Sequence, residues 1–72
     1  MPITFYDAED MKRAIEIGEK CKVFERYHYT ANMETTKILF HADKQEEQKK
    51  FVCAINIYNT YSGTDPICYH IV

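Results

Sequence analysis

Within 72 residues the spacing of apolar side chains switches repeatedly between two periods, and that succession narrows the possible folds more than any other feature. Alternating apolar residues mark a strand, whereas apolar residues three and four apart mark one face of a helix. Residues 3–6 read as a short strand and residues 8–20 as an amphipathic helix. Two strand-like runs follow, over 22–30 and from 35 or 36 to 42, then a second amphipathic helix over 44–61 and a last strand over 67–72. A chain this short buries only about 60% of the surface it exposes when unfolded, so one core is expected, in a single domain of residues 1–72.

Local signals punctuate these elements. Asp7 stands where an N-cap accepts a hydrogen bond from the free amides of the first helical turn. Met11, Ala14, Ile15 and Gly18 form the apolar stripe of that helix, opposite Glu9, Lys12, Arg13, Glu16, Glu19 and Lys20. Gly18 on the stripe suits a close approach to the sheet. Glu9 and Asp10 lie at the positive end of the helix dipole, a structural role in preference to a cation site. Ala31, Asn32, Met33 and Glu34 read as a hairpin loop with Asn32 in the left-handed conformation, which places His28 opposite about Lys37. Asp43 and Glu46 have the spacing of a capping box. In the second helix Phe51, Ala54, Ile55, Tyr58 and Tyr61 form the core stripe, Gly63 supplies a stop, and Asp65 and Pro66 end the turn.

The order β-α-β-β-α-β is the split βαβ, or ferredoxin-like, arrangement. It predicts an α+β two-layer sandwich: a four-stranded antiparallel sheet of order 4-1-3-2 with both helices on one face. By alternation Ile3, Phe5, Val23, Tyr27, Tyr29, Ile38, Phe40, Tyr69 and Ile71 point toward the helices. The opposite face then carries Thr4, Tyr6, Phe24, Arg26, His28, Lys37, Leu39, His41, Cys68 and His70. A slip of one residue in the second strand exchanges its two sets.

Most chemistry is disfavoured. Two glycines, Gly18 and Gly63, leave no phosphate-binding loop. The three cysteines, Cys21, Cys53 and Cys68, form no CxxC pair and read as buried or half-buried free thiols of a reducing compartment. Neither they nor Ser62 lie in a nucleophile motif, and Cys68 with His70 lacks an orienting acid, so no enzyme activity, catalytic residue or cofactor is expected. All three histidines fall on the open face, yet His41 and His70 stand on strands about 10 Å apart. That is too far for one zinc ion, whose ligands lie ~2 Å from the metal. No metal site is therefore expected. Residues 1–6 lack the basic start and apolar core of a signal peptide, and no apolar run approaches a membrane span. A cytoplasmic protein without a membrane partner is expected.

The predicted fold is similar to that of RNA-recognition modules, which carry a basic, glycine-containing aromatic motif on the third strand. Here that strand reads Thr36, Lys37, Ile38, Leu39, Phe40, His41 and Ala42. The motif is absent, and only Tyr6, Phe24 and His41 can offer stacking surfaces. A net charge of −2 and a pI near 5.8 give no general attraction to phosphate backbones.

What remains is recognition. Tyr6, Phe24, Arg26, His28, Lys37, Leu39, His41 and His70, with Val72 beside them, make an amphipathic surface resembling the aromatic and arginine mixture of protein interfaces. The expected function is a small non-enzymatic protein-binding domain, an inhibitor or adaptor of a larger partner. Its size suits, for example, a phage-encoded modulator of a host enzyme. The alternative is single-stranded nucleic-acid binding on the same face. Val52, Cys53 and Ile57 fall off the core stripe of the second helix, as Ile17 does on the first; such residues either pack between the helices or, for Val52, Cys53 and Ile57, are candidates for contact with a second subunit in a homodimer.

Overall fold

The computed structural model describes residues 1–22, 25–63 and 65–71, with every side chain except that of Arg26. Its elements are β1 (Ile3–Phe5), α1 (Ala8–Lys20), β2 (Tyr29–Asn32), β3 (Lys37–Phe40), α2 (Gln45–Ser62) and β4 (Tyr69–Ile71). Short 3-10 turns at Arg26–His28 and Ala42–Lys44 precede β2 and α2. The sheet runs β2-β3-β1-β4, which is the expected order read from the other edge, and every neighbouring pair is antiparallel. This is a ferredoxin-like α+β fold.

Both helices cover one face. Ile3, Phe5, Ile38 and Phe40 of the sheet are buried with Met11 and Ala14 of α1, Phe51 and Ile55 of α2, and Ile67 of the loop before β4. Phe51 is the hub: its ring lies 6.5 Å from Phe5 in an edge arrangement and 5.6 Å from Phe40, which in turn lies 5.6 Å from Tyr29. Aromatic pairs at such separations add attraction beyond their buried area. The α1 stripe is as expected, with Met11, Ala14 and Gly18 buried.

The α2 stripe holds at Phe51 and Ile55 but fails at Tyr61, which is 84% exposed. An 18-residue helix is about 27 Å long, whereas strands of three or four residues extend only about 10–13 Å. The last turn of α2 therefore overshoots the sheet. Val52 and Ile17, off the stripes, are partly buried against the core.

Capping matches expectation at one helix and not at the other. The Asp10 amide donates to Asp7 Oδ1 at 2.8 Å, as an N-cap requires. At α2 the residue in the cap position is Lys44, with no side-chain cap, so Asp43 falls inside the 3-10 turn and the expected box with Glu46 is not formed. The His41 carbonyl organises this entry instead, accepting from the Lys44 amide at 2.9 Å and from Gln45 Nε2 at 3.0 Å. Gly63 ends α2 at φ 70°, as its position predicted.

The second strand is shorter than its alternation implied. The His28 amide donates to the Glu25 carbonyl at 2.9 Å, and the Glu25 amide donates to His28 Nδ1 at 3.0 Å. These local bonds close a 3-10 turn in place of a sheet ladder. Tyr27, expected to face inward, is consequently 70% exposed. Val23, Phe24 and Val72 lie outside the described residues. The hairpin loop also moves two residues on, to 33–36. Asn32 stays in β2 and its Oδ1 accepts from the Glu34 and Thr35 amides at 2.9 and 3.3 Å, an Asx turn. The left-handed residue is Thr36, at φ 53°. It is held there by β1, since Thr36 Oγ1 donates to the Phe5 carbonyl and the Phe5 amide donates to the Thr36 carbonyl.

The expectation of buried cysteines is overturned: Cys21, Cys53 and Cys68 are all exposed. Cys21 caps α1, Cys53 lies off the Phe51 and Ile55 stripe, and Cys68 alternates away from the helices just before β4.

Candidate functional site

Among the described residues no helix or strand lies over the sheet face opposite the two helices, and the register lays its side chains in rows. Asn32 stands opposite Lys37, Lys37 opposite Thr4, and Thr4 opposite His70, so one residue from each strand forms a single line across the sheet. Thr30 and Leu39 form the next row. Beyond β1, Tyr6 continues beside Cys68, its amide donating to the Cys68 carbonyl at 3.1 Å. Tyr6 is 81% exposed and Leu39 49% exposed, and Lys37 and His70 are exposed with them. Thr4, Tyr6, Cys68 and His70 border a shallow hollow of about 420 Å³.

This surface unites four of the expected site residues, Tyr6, Lys37, Leu39 and His70. The other four are placed differently. His41 follows the end of β3, exposed at the rim of the sheet. His28 is not on a strand: it closes the 3-10 turn, its Nδ1 is engaged by the Glu25 amide, and its ring lies 4.4 Å from Tyr27. Nor does it lie opposite Lys37, because the two-residue shift of the hairpin brings its carbonyl to the His41 amide at 2.9 Å. Arg26 begins that same turn, so strand parity does not place it on the open face. Phe24 and the Arg26 side chain lie outside the described residues. His70 remains two strands away from β3, and among the described residues no three of His, Cys, Asp and Glu come close enough to hold a metal ion.

A polar network that residue spacing does not reveal lies at the opposite end of the sheet from the β3–α2 junction. Buried Asp10 accepts from Arg13 Nη1 at 3.1 Å through Oδ1 and from the Cys68 amide at 3.3 Å through Oδ2. Arg13 also donates to Tyr58 Oη at 3.2 Å and to the Asp65 carbonyl, lies over the Tyr58 ring at 5.7 Å, and approaches the Asp65 carboxylate at 3.5 Å. The Tyr58 hydrogen bond, followed by the charges of Asp65 and Asp10, raises the Arg13 pKa further against the opposing effect of burial. Asn59 joins the same clasp by bonding both the amide and the carbonyl of Ile67, at 2.8 and 3.0 Å. These groups fasten α1, α2 and the approach to β4 together. Their only sequence signal is the Asp10 and Arg13 spacing of three, which also fits an ordinary surface pair.

A third surface lies along α2. Gln48, Lys49, Val52, Cys53, Asn56 and Ile71 line a hollow of about 310 Å³ between the helix and the edge strand β4. Of the three candidate subunit contacts, Val52 and Cys53 line it, while Ile57 is 54% exposed elsewhere on the helix. Ile71 faces the helices, opposite Ile3, yet is 40% exposed because an edge strand has a neighbour on one side only.

No protein-family model, curated protein sequence or solved structure matches the chain significantly. The architecture and the open sheet face are therefore what define its class: a ferredoxin-like α+β domain with one uncovered face. No helix among the described residues is long and apolar enough to cross a membrane.

Proposed function

We propose that this protein is a non-enzymatic binding domain that acts by laying its open sheet face on a larger protein partner in the cytoplasm, as an inhibitor or adaptor. The observation that carries this reading is the exposure of Tyr6 and Leu39 on a regular four-stranded surface, flanked by Lys37 and His70. An exposed aromatic ring and an aliphatic side chain beside a cation are what a protein interface buries at its centre. A flat surface bordered by shallow hollows suits contact with a folded partner better than enclosure of a small molecule. Single-stranded nucleic acid has less support: among the described residues one lysine and one exposed aromatic ring occupy the face, too little charge for a phosphate-tracking groove.

The test is affinity capture from the native cell with wild-type protein, with a Tyr6→Ala, Lys37→Glu double variant, and with a Tyr61→Ser control on the far end of α2. The double variant is expected to lose the captured partner while the control keeps it. Retention by the double variant would overturn the sheet-face reading. Binding of labelled oligonucleotides that weakens steeply with salt would replace it with the nucleic-acid one.

A further inference from the structure

We infer that the outer edge of β4 is a self-association site, where a second copy of this chain adds its own β4 antiparallel across a two-fold axis at His70. The hydrogen-bond phase of the ladder carries the inference. The Tyr6 amide bonds the Cys68 carbonyl, so in an antiparallel pair the next bonded partners are Thr4 and His70, two residues along. Between them Phe5 directs its amide to Thr36 on the other side, toward β3. Tyr69 and Ile71 therefore turn their backbone amides and carbonyls outward, along the open edge of the sheet.

That outward pattern is self-complementary. When two copies of β4 run antiparallel with His70 facing His70, Tyr69 of each copy stands opposite Ile71 of the other. Both are outward-bonding residues, so each such pair exchanges two hydrogen bonds, and the two four-stranded sheets become one of eight. A one-residue shift would set an outward-bonding residue against an inward-bonding one and break the ladder.

The side chains agree with a second copy as the occupant. Exposed edge strands are normally protected by charged residues or proline, and β4, reading Tyr69, His70 and Ile71, has neither. On the helix side the hollow lined by Val52, Cys53 and Ile71 adjoins this edge, so the partner's Tyr69 and Ile71 would extend its apolar wall. The edge is short, so the dimer belongs with weak, concentration-dependent assemblies. It leaves the open face of both copies on the same side of the joined sheet, presenting two binding faces to a partner.

Light scattering from about 1 µM to about 1 mM tests the inference, since an association of this class spans that range. The mass is expected to rise from the 8.5 kDa monomer toward twice that value. Ile71→Pro deletes an outward amide while leaving the bonds between β1 and β4 in place, and should hold the mass at the monomer value. Cys53→Arg, which fills the hollow while leaving the residues of β4 unchanged, should do the same, and circular dichroism of both variants confirms that the fold is intact. A wild-type mass that stays monomeric throughout would overturn the inference, as would a dimer that survives both variants or that is lost instead in Leu39→Ser. Partner capture by Ile71→Pro, measured in parallel, separates this result from the fate of the open-face reading.

Discussion

At the scale of single residues, the chain shows that capping power depends on where a turn begins and not on the residue type alone. Asp7 and Asp43 both precede helices and both have acidic residues following them, yet only Asp7 accepts an amide bond. Asp7→Ala is expected to cost about 1 kcal/mol of stability in urea unfolding. Asp43→Ala should change it by less than about 0.5 kcal/mol, the range of surface substitutions away from such features. Equal losses would mean that Asp43 caps α2 after all. Asp7 was legible because nothing competes with it. Asp43 was not, because the preceding turn is built by the His41 carbonyl, a main-chain acceptor that leaves no mark in the sequence. The clasp around Asp10 and Arg13 was equally silent, since its partners Tyr58, Asp65 and Cys68 lie 45 to 58 residues away.

At the scale of elements, periodicity identified every helix and strand and erred at their ends. The alternation over 22–30 looked continuous, but the mutual bonds of Glu25 and His28 divert residues 26–28 into a turn. The hairpin then moved because Asn32 uses its side chain to bridge the turn and leaves the left-handed position to Thr36. This shift of two residues conserved side-chain parity, which is why Lys37, Leu39 and Tyr29 kept their predicted faces while His28 changed its neighbour from Lys37 to His41. For α2 the stripe was readable but its useful length was not, since that depends on how far the strands beneath it extend. Phe51→Ala should cost about 3–5 kcal/mol, the usual range for truncating a buried phenylalanine. Tyr61→Ser, on the same stripe by spacing, should stay within about 0.5 kcal/mol of wild type. Thermal or urea unfolding distinguishes these outcomes, and a large loss at Tyr61 would contradict the overshoot of the last helical turn.

At the scale of the whole molecule, a 72-residue fold has a total stability of about 4–11 kcal/mol, so loss of Phe51 alone approaches the limit of what it can tolerate. The fold assigns its surfaces by geometry. Two helices cover one side of the sheet, the other side carries the exposed side chains of Tyr6, Lys37, Leu39 and His70, and the β4 edge lies beside a hollow. The open face could be foreseen because alternation alone specifies it. The hollow could not, because it needs Ile71 of the last strand and Val52 and Cys53 of the preceding helix to be brought together in space.

Three exposed cysteines give each surface a reporter: Cys68 beside Tyr6 and His70 on the open face, Cys53 in the hollow along α2, and Cys21 at the end of α1. Alkylation rates of the three thiols, compared between protein alone and protein held in a complex with its captured partner at the same protein concentration, test the central claim directly. The partner is expected to slow reaction at Cys68, while Cys53 and Cys21 react as before. A complex in which Cys68 remains as reactive as in the free protein, and Cys53 or Cys21 is shielded instead, would contradict it.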